Sequence, residues 1–161
     1  MSSCHDALMR KHLAVAVLLL AGCTKNTAPP IELAPTAVRL KPAQGALETL
    51  LIAEVTKARA RNLRPFLELR AEWCDPCKDL EASMGDARMT DAFVGTYLIS
   101  LDIDEWGDKL KAVDVDPSSI PVFYELDAQA KPTGRKIDGG AWAENIPANM
   151  APPLKAFFAG R

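Results

Sequence analysis

The chain has 161 residues, of which 48% are hydrophobic, and a formal net charge of −2. That length holds one domain plus a short appendage, and the apolar content is enough for one packed core. The near-neutral balance gives no electrostatic footing for a nucleic-acid partner or for binding an anionic membrane by charge.

The first residues do not belong to that core. Arg10, Lys11 and His12 precede the apolar run LAVAVLLLAG. At about ten residues the run is too short for an ordinary transmembrane helix and fits the h-region of a signal peptide. It closes as Leu20-Ala21-Gly22-Cys23, which resembles the lipobox of bacterial lipoproteins, where the cysteine is acylated and becomes the new N-terminus. The plainer alternative is a cleaved signal followed by an incidental cysteine. The resemblance implies a signal peptide over residues 1–22, lipidation of Cys23 and a lipid-anchored, periplasm-facing place in the cell envelope. Thr24 stands where an aspartate would retain a lipoprotein at the inner membrane, which favours the outer membrane. Residues 9–23 already form a complete signal, so initiation at Met9 is expected to support lipidation as well as initiation at Met1. Cleavage would remove Cys4, His5 and His12, leaving Cys23, Cys74 and Cys77 and no histidine. A chain without imidazole has no Ser–His or Cys–His nucleophile pair.

Residues 23–45 read as a tether. They carry Pro29, Pro30, Pro35 and Pro42, and such a segment extends by ~3.1 Å per residue where it is polyproline II. Within it, TAVRL is a candidate first strand. A single domain is expected over residues 46–161. Leu47, Leu50, Leu51 and Val55 fall at helical spacing, and PFLEL follows as a short strand. CKDLEASM and DARMTDAFVG read as helical, the second opened by Asp86 as N-cap. YLISLDID alternates as a strand, EWGDKLKAV reads as a short helix, and IPVFYELD as a strand. AQAKPTG is read as a turn, RKIDGG as a strand, and PPLKAFFAG as a closing helix with proline in its first turn. The pattern is an α/β domain. Trp106, Phe157 and Phe158 are expected in its core.

The stretch AEWCDPCK places Cys74 and Cys77 three positions apart where a strand gives way to a helix. A structural zinc site needs about four ligands, so two thiols could serve only a zinc shared across a dimer interface. A purely structural disulfide closes a very short loop and gains little from loop entropy. At a strand-to-helix junction, however, the first sulfur meets the unpaired N–H groups and positive dipole end of the helix, which favour a thiolate. The second sulfur lies one turn inside, within reach of a mixed disulfide. This is a redox arrangement, and it requires no cofactor beyond the Cys74–Cys77 disulfide.

AEWCDPCK resembles the active-site motif of the thioredoxin family, whose common form has glycine where Asp75 stands. Glu68 falls where that family has a buried acid beneath the second cysteine. SSIPVF, with Ile120 before Pro121, matches its cis-proline loop, and Gly139 or Gly140 matches the glycine beside its substrate groove. The resemblance spans roughly residues 46–161 and is nearer to periplasmic and membrane-anchored reductase domains than to cytosolic thioredoxin. It implies a thioredoxin-like fold, a central mixed sheet flanked by helices. It also implies an exposed, thiolate-prone nucleophile in Cys74, a resolving Cys77 and a proton-shuttling Glu68. The implied substrate groove comprises Trp73, Asp75, Pro76, Ile120 and a cis Pro121. Lys78 is expected to favour the Cys74 thiolate and Asp75 to oppose it.

Three departures stand out. Arg70 replaces a usually apolar or aromatic residue. Ser100 replaces the lysine that many thioredoxins pair with the buried acid. The link over residues 139–153 is long, so that Trp142 and Asn145 either wall the groove or, the preferred reading, cap the sheet. The expected function is a thiol–disulfide oxidoreductase that reduces cysteine-containing protein substrates and is recharged by an upstream transmembrane disulfide reductase. The alternatives are a thiol oxidase or isomerase, and a non-catalytic binding module.

Overall fold

The computed structural model describes residues 34–160. The expected signal peptide and the expected lipidation site Cys23 lie outside the described residues. Five strands form one mixed sheet: β1 (Thr36–Arg39), β2 (Arg64–Arg70), β3 (Thr96–Asp102), β4 (Val122–Leu126) and β5 (Pro132–Asp138), in the spatial order β1-β3-β2-β4-β5. β1, β3 and β2 run parallel, whereas β4 is antiparallel to β2 and β5 to β4. The helices are α1 (Leu47–Ala60), α2 (Asp75–Ser83), α3 (Ala87–Ala92), α4 (Ile103–Trp106) and α5 (Pro147–Phe158).

Strand alternation assigns each side chain to a face. Leu67 and Leu69 of β2, Tyr97, Ile99 and Leu101 of β3, and Val122 and Tyr124 of β4 pack with Leu47, Leu51 and Val55 of α1. Phe66, Leu98 and Phe123 point the other way and pack with Leu80, Met89, Leu154, Phe157 and Phe158 of α2, α3 and α5. The two faces follow from connection handedness. The chain moves rightward from β1 to β2 and leftward from β2 to β3, and right-handed crossovers then place α1 and α2 on opposite sides of the sheet. The second face is aromatic, with Phe66, Phe93, Phe123, Phe157 and Phe158 in contact at ring-centroid distances of 4.6–6.0 Å. Trp106 is buried with the first face and donates its indole N–H to the Leu40 carbonyl at 3.2 Å.

Several boundaries differ from the sequence reading. β1, in the stretch TAVRL read as a candidate first strand, pairs with β3 over Thr36–Arg39, so the sheet begins ten residues before the expected domain start at 46. The helix read over EWGDKLKAV is one α-turn, α4, followed by a 3-10 segment, Gly107–Val113. Gly107 has φ 48° and ψ −130°, backbone that a side chain opposes, and it ends α4 there. β5 starts at Pro132, inside the stretch read as a turn.

The largest difference is α5, which starts at Pro147 and keeps Pro152 and Pro153 in its interior. An interior proline costs about 3 kcal/mol. Met150, Leu154, Phe157 and Phe158 are buried from this one helix, each contributing about 1.5–3 kcal/mol. Their burial offsets both prolines.

Candidate active site

β2 ends at Arg70, and Ala71-Glu72-Trp73 leads directly into Cys74, the N-cap of α2. Cys74 has extended backbone geometry, and its Sγ accepts the N–H of Cys77 at 3.2 Å. Its carbonyl takes the N–H groups of Cys77 and Lys78, each at 3.1 Å. Pro76, in the first turn, has no N–H to satisfy and starts the helix without penalty. The two sulfurs are joined as a disulfide, with Cα atoms 5.3 Å apart.

The Ile120–Pro121 peptide bond is cis. The Ile120 carbonyl oxygen lies 3.7 Å from Cys74 Sγ, and Ile120 packs with Ile103 and Ala71 around the two cysteines. The Cys74 residue, expected to be exposed, is therefore only 2% exposed. The cover comes from Ile103, which follows β3, and from Ile120, which precedes β4. Behind Pro121, its carbonyl accepts the Gly139 N–H at 3.2 Å, fixing the end of β5 against this loop.

Trp73 is 62% exposed and donates its indole N–H to Asp104 Oδ2 at 2.7 Å. It stands beside the dithiol as an apolar plate held from one edge. The expected charge arrangement around Cys74 needs correction. Lys78 Nζ bonds Asp75 Oδ1 at 3.0 Å, so the two residues thought to act on the thiolate in opposite senses neutralise each other. Helical i, i+3 spacing makes that pairing geometrically natural. The helix end is left as the main local stabiliser of a Cys74 thiolate.

Glu68 and Arg70 lie on the face of β2 that α2 covers, as the alternation with Phe66 requires. Glu68 is 5% exposed, in register with Ser100 on β3 and Phe123 on β4, and it accepts the Ser100 hydroxyl. Ser100 thus answers the carboxyl with a hydrogen bond rather than a cation. Burial pushes the Glu68 carboxyl above the ordinary carboxylate value. The Ser100 hydrogen bond and the Arg70 and Arg39 charges pull it back, and Glu81 pushes it up further. Arg70 is 6% exposed and bonds Glu81 of α2 at 2.8 Å. Sequence spacing gave no sign of that strand-to-helix pair, nor of the Asp104 contact to Trp73.

The long link wraps the far side of α2. Trp142 is buried in the aromatic core and donates to Asn145 Oδ1 at 3.0 Å, and Asn145 Nδ2 donates to Asp79 of α2 at 3.1 Å. These residues cap the core and brace the dithiol helix.

No family model and no curated protein matches the chain. Solved structures do. The disulphide isomerase from Xylella fastidiosa Temecula1 superposes with a TM-score of 0.52 at 20% identity, covering 69% of this chain and 87% of that one. The chain has a thioredoxin-like fold. Also similar are Trxlp from Edwardsiella tarda EIB202 (TM-score 0.43, 21% identity, 66% of this chain and 91% of that chain) and the thioredoxin of Trichomonas vaginalis (TM-score 0.43, 20% identity, 64% and 83%). In this thioredoxin-like fold the disulfide sits where the parallel strands β2 and β3 end, the position at which open α/β sheets place their sites.

Proposed function

We propose that this chain is a thiol–disulfide oxidoreductase of the cell envelope, anchored through lipidated Cys23, that reduces disulfides in partner proteins. The observation that carries the chemistry is the Cys74–Cys77 disulfide at the start of α2, with Cys74 Sγ against the Ile120 carbonyl. In the reduced protein the Cys74 thiolate attacks one sulfur of a substrate disulfide and expels the other as a thiolate. Cys77 then gives its proton to the Glu68 carboxylate and attacks Cys74 Sγ, releasing the second substrate sulfur. The substrate gains two electrons, its two thiolates take one proton passed on from Glu68 and one from water, and Cys74–Cys77 becomes the disulfide. A transmembrane disulfide reductase would return the electrons. Trp73, Asp75 and Pro76 on one side and Ile120 and Pro121 on the other would hold the substrate chain.

The reducing direction is supported by what surrounds Cys74. Lys78 is occupied by Asp75, which leaves the helix end to support the thiolate. A less stabilised thiolate gives a less stable reduced form and a more reducing couple. The expected potential is therefore nearer the ~−270 mV of thioredoxin than the ~−120 mV of a strong periplasmic oxidant. Redox titration against glutathione, followed by thiol alkylation, measures it, with insulin reduction as the activity assay. A potential above about −160 mV would reverse the assignment in favour of an oxidase, and failure to reduce insulin would favour a binding module.

A further inference from the structure

Arg70 is out of place by the ordinary rules of a buried strand. β2 is the central strand, covered on both faces, and a leucine at position 70 would be buried without an electrostatic cost. Among the described residues the guanidinium has one ion pair, to Glu81 at 2.8 Å. Its Nε is the only buried side-chain nitrogen or oxygen without a hydrogen-bond partner among the described residues. A buried cation satisfied at one end costs stability relative to an apolar side chain, so stability does not account for it.

Its neighbour does. Glu68 is two residues earlier on the same face of the same strand. A cavity of about 440 Å³ is lined by both, together with Ser100, Arg39 and Glu81. Several elements pack around Glu68. β1 brings Arg39, which is committed to Glu72 at 2.8 Å. β3 brings the Ser100 hydroxyl and Asp102, the latter in register with Arg70. β4 brings Phe123, in register with Glu68, and α2 brings Glu81. Arg70 is the buried cation of this set.

We propose that Arg70 and Glu81 together tune the charge state of Glu68: Arg70 favours the charged carboxylate against its burial, and Glu81 tempers Arg70 by pairing with it. Arg70 is a positioning charge that touches neither substrate nor sulfur. The proposal extends the reading of Glu68 as proton acceptor for Cys77, and through it gives the exchange reaction its pH dependence.

Two variants break the same ion pair and separate a charge effect from a clamp. Arg70→Met removes the cation, so Glu68 should titrate at higher pH than in the wild type. Glu81→Gln removes the tempering anion, so Glu68 should titrate at lower pH. Arg70→Lys should return the midpoint toward wild type. The readout is ¹³C NMR titration of the Glu68 carboxyl in the full-length disulfide form, assigned by Glu68→Gln. Shifts in the same direction for both variants, or no shift in either, would overturn the proposal. Should Arg70→Met not fold, Glu81→Gln decides alone: a downward shift supports the proposal, and any other result overturns it. The pH profile of insulin reduction tests the underlying reading separately. A chain that titrates as described yet reduces no disulfide at any pH retains the charge device and loses the oxidoreductase assignment.

Discussion

Replacing Asp75 by asparagine should make the dithiol less reducing. The carboxylate is one residue from Cys74 and pairs with Lys78 at 3.0 Å, and its side chain is 85% exposed. Asparagine removes a negative charge beside the nascent thiolate and frees the Lys78 ammonium at the same helix end. Both changes stabilise the thiolate and so the reduced form. The size is limited by solvent, because exposed charges interact by about 0.2–1 kcal/mol. With 30 mV equivalent to about 1.4 kcal/mol for a two-electron couple, the potential should rise by about 5–20 mV. Lys78→Met is the counterpart. It leaves Asp75 unpaired near the thiolate and should lower the potential by a similar amount, and the double variant should fall between the two. Equilibration with glutathione at fixed pH and low salt, quantified by alkylation and mass shift, resolves differences of this size. A fall in potential for Asp75→Asn, or a change of the same sign in both single variants, would refute the electrostatic account and point to a general loosening of the first turn of α2.

Glu68→Gln should change how stability depends on pH. With the Glu68 value raised by burial, the unfolded chain loses this proton first, so wild-type stability falls as pH rises from the ordinary carboxylate value to the raised one. Urea melts across that window should show the decline in wild type and its loss in the variant. Phe158→Ala, which removes a ring packed against Phe66, Phe93, Phe123 and Phe157, should cost about 3–5 kcal/mol, read as a lower urea midpoint; a loss below 1 kcal/mol would mean that the cluster repacks. Cys23→Ala should release the protein from membranes while leaving insulin reduction by the soluble chain unchanged, and lost activity there would contradict a separable anchor.

The dithiol, its place at the strand-to-helix junction and the layered α/β architecture were legible because each depends on local signals: a periodicity, a proline, a cysteine spacing. Phe157 and Phe158 were legible as core residues, whereas their contacts with Phe66, Phe93 and Phe123 were not. What escaped the sequence depends on contacts made far along the chain. Cys74 reads as exposed until Ile103 and Ile120, from beyond β2, close over it. The start of α5 was misplaced because Pro152-Pro153 resembles a helix opening, although Pro147 supplies the same signal one and a half turns earlier. The Met150, Leu154, Phe157 and Phe158 stripe carries the helix through both prolines, and nothing in the local sequence says which effect is larger. The first strand was read at TAVRL, but its membership of the domain was not, since a four-residue edge strand is held only by its partner β3.

Charge was the least legible property, and for a physical reason. Asp75, Lys78, Arg70 and Glu81 were all visible as single residues near the motif, yet their effects on the dithiol depend on which pairs form. Asp75 and Lys78 sit at i, i+3 on one helix and cancel at the surface. Arg70 and Glu81 come from different elements and pair across the layer between strand and helix, with the cation buried and the anion exposed. Water screens the first pair and is largely excluded from the cationic half of the second, so equal formal charges act with unequal force. The residues nearest Cys74 in sequence should therefore tune its potential only slightly. Arg70, further away and reached through Glu68, should govern the pH at which Cys77 can complete the exchange.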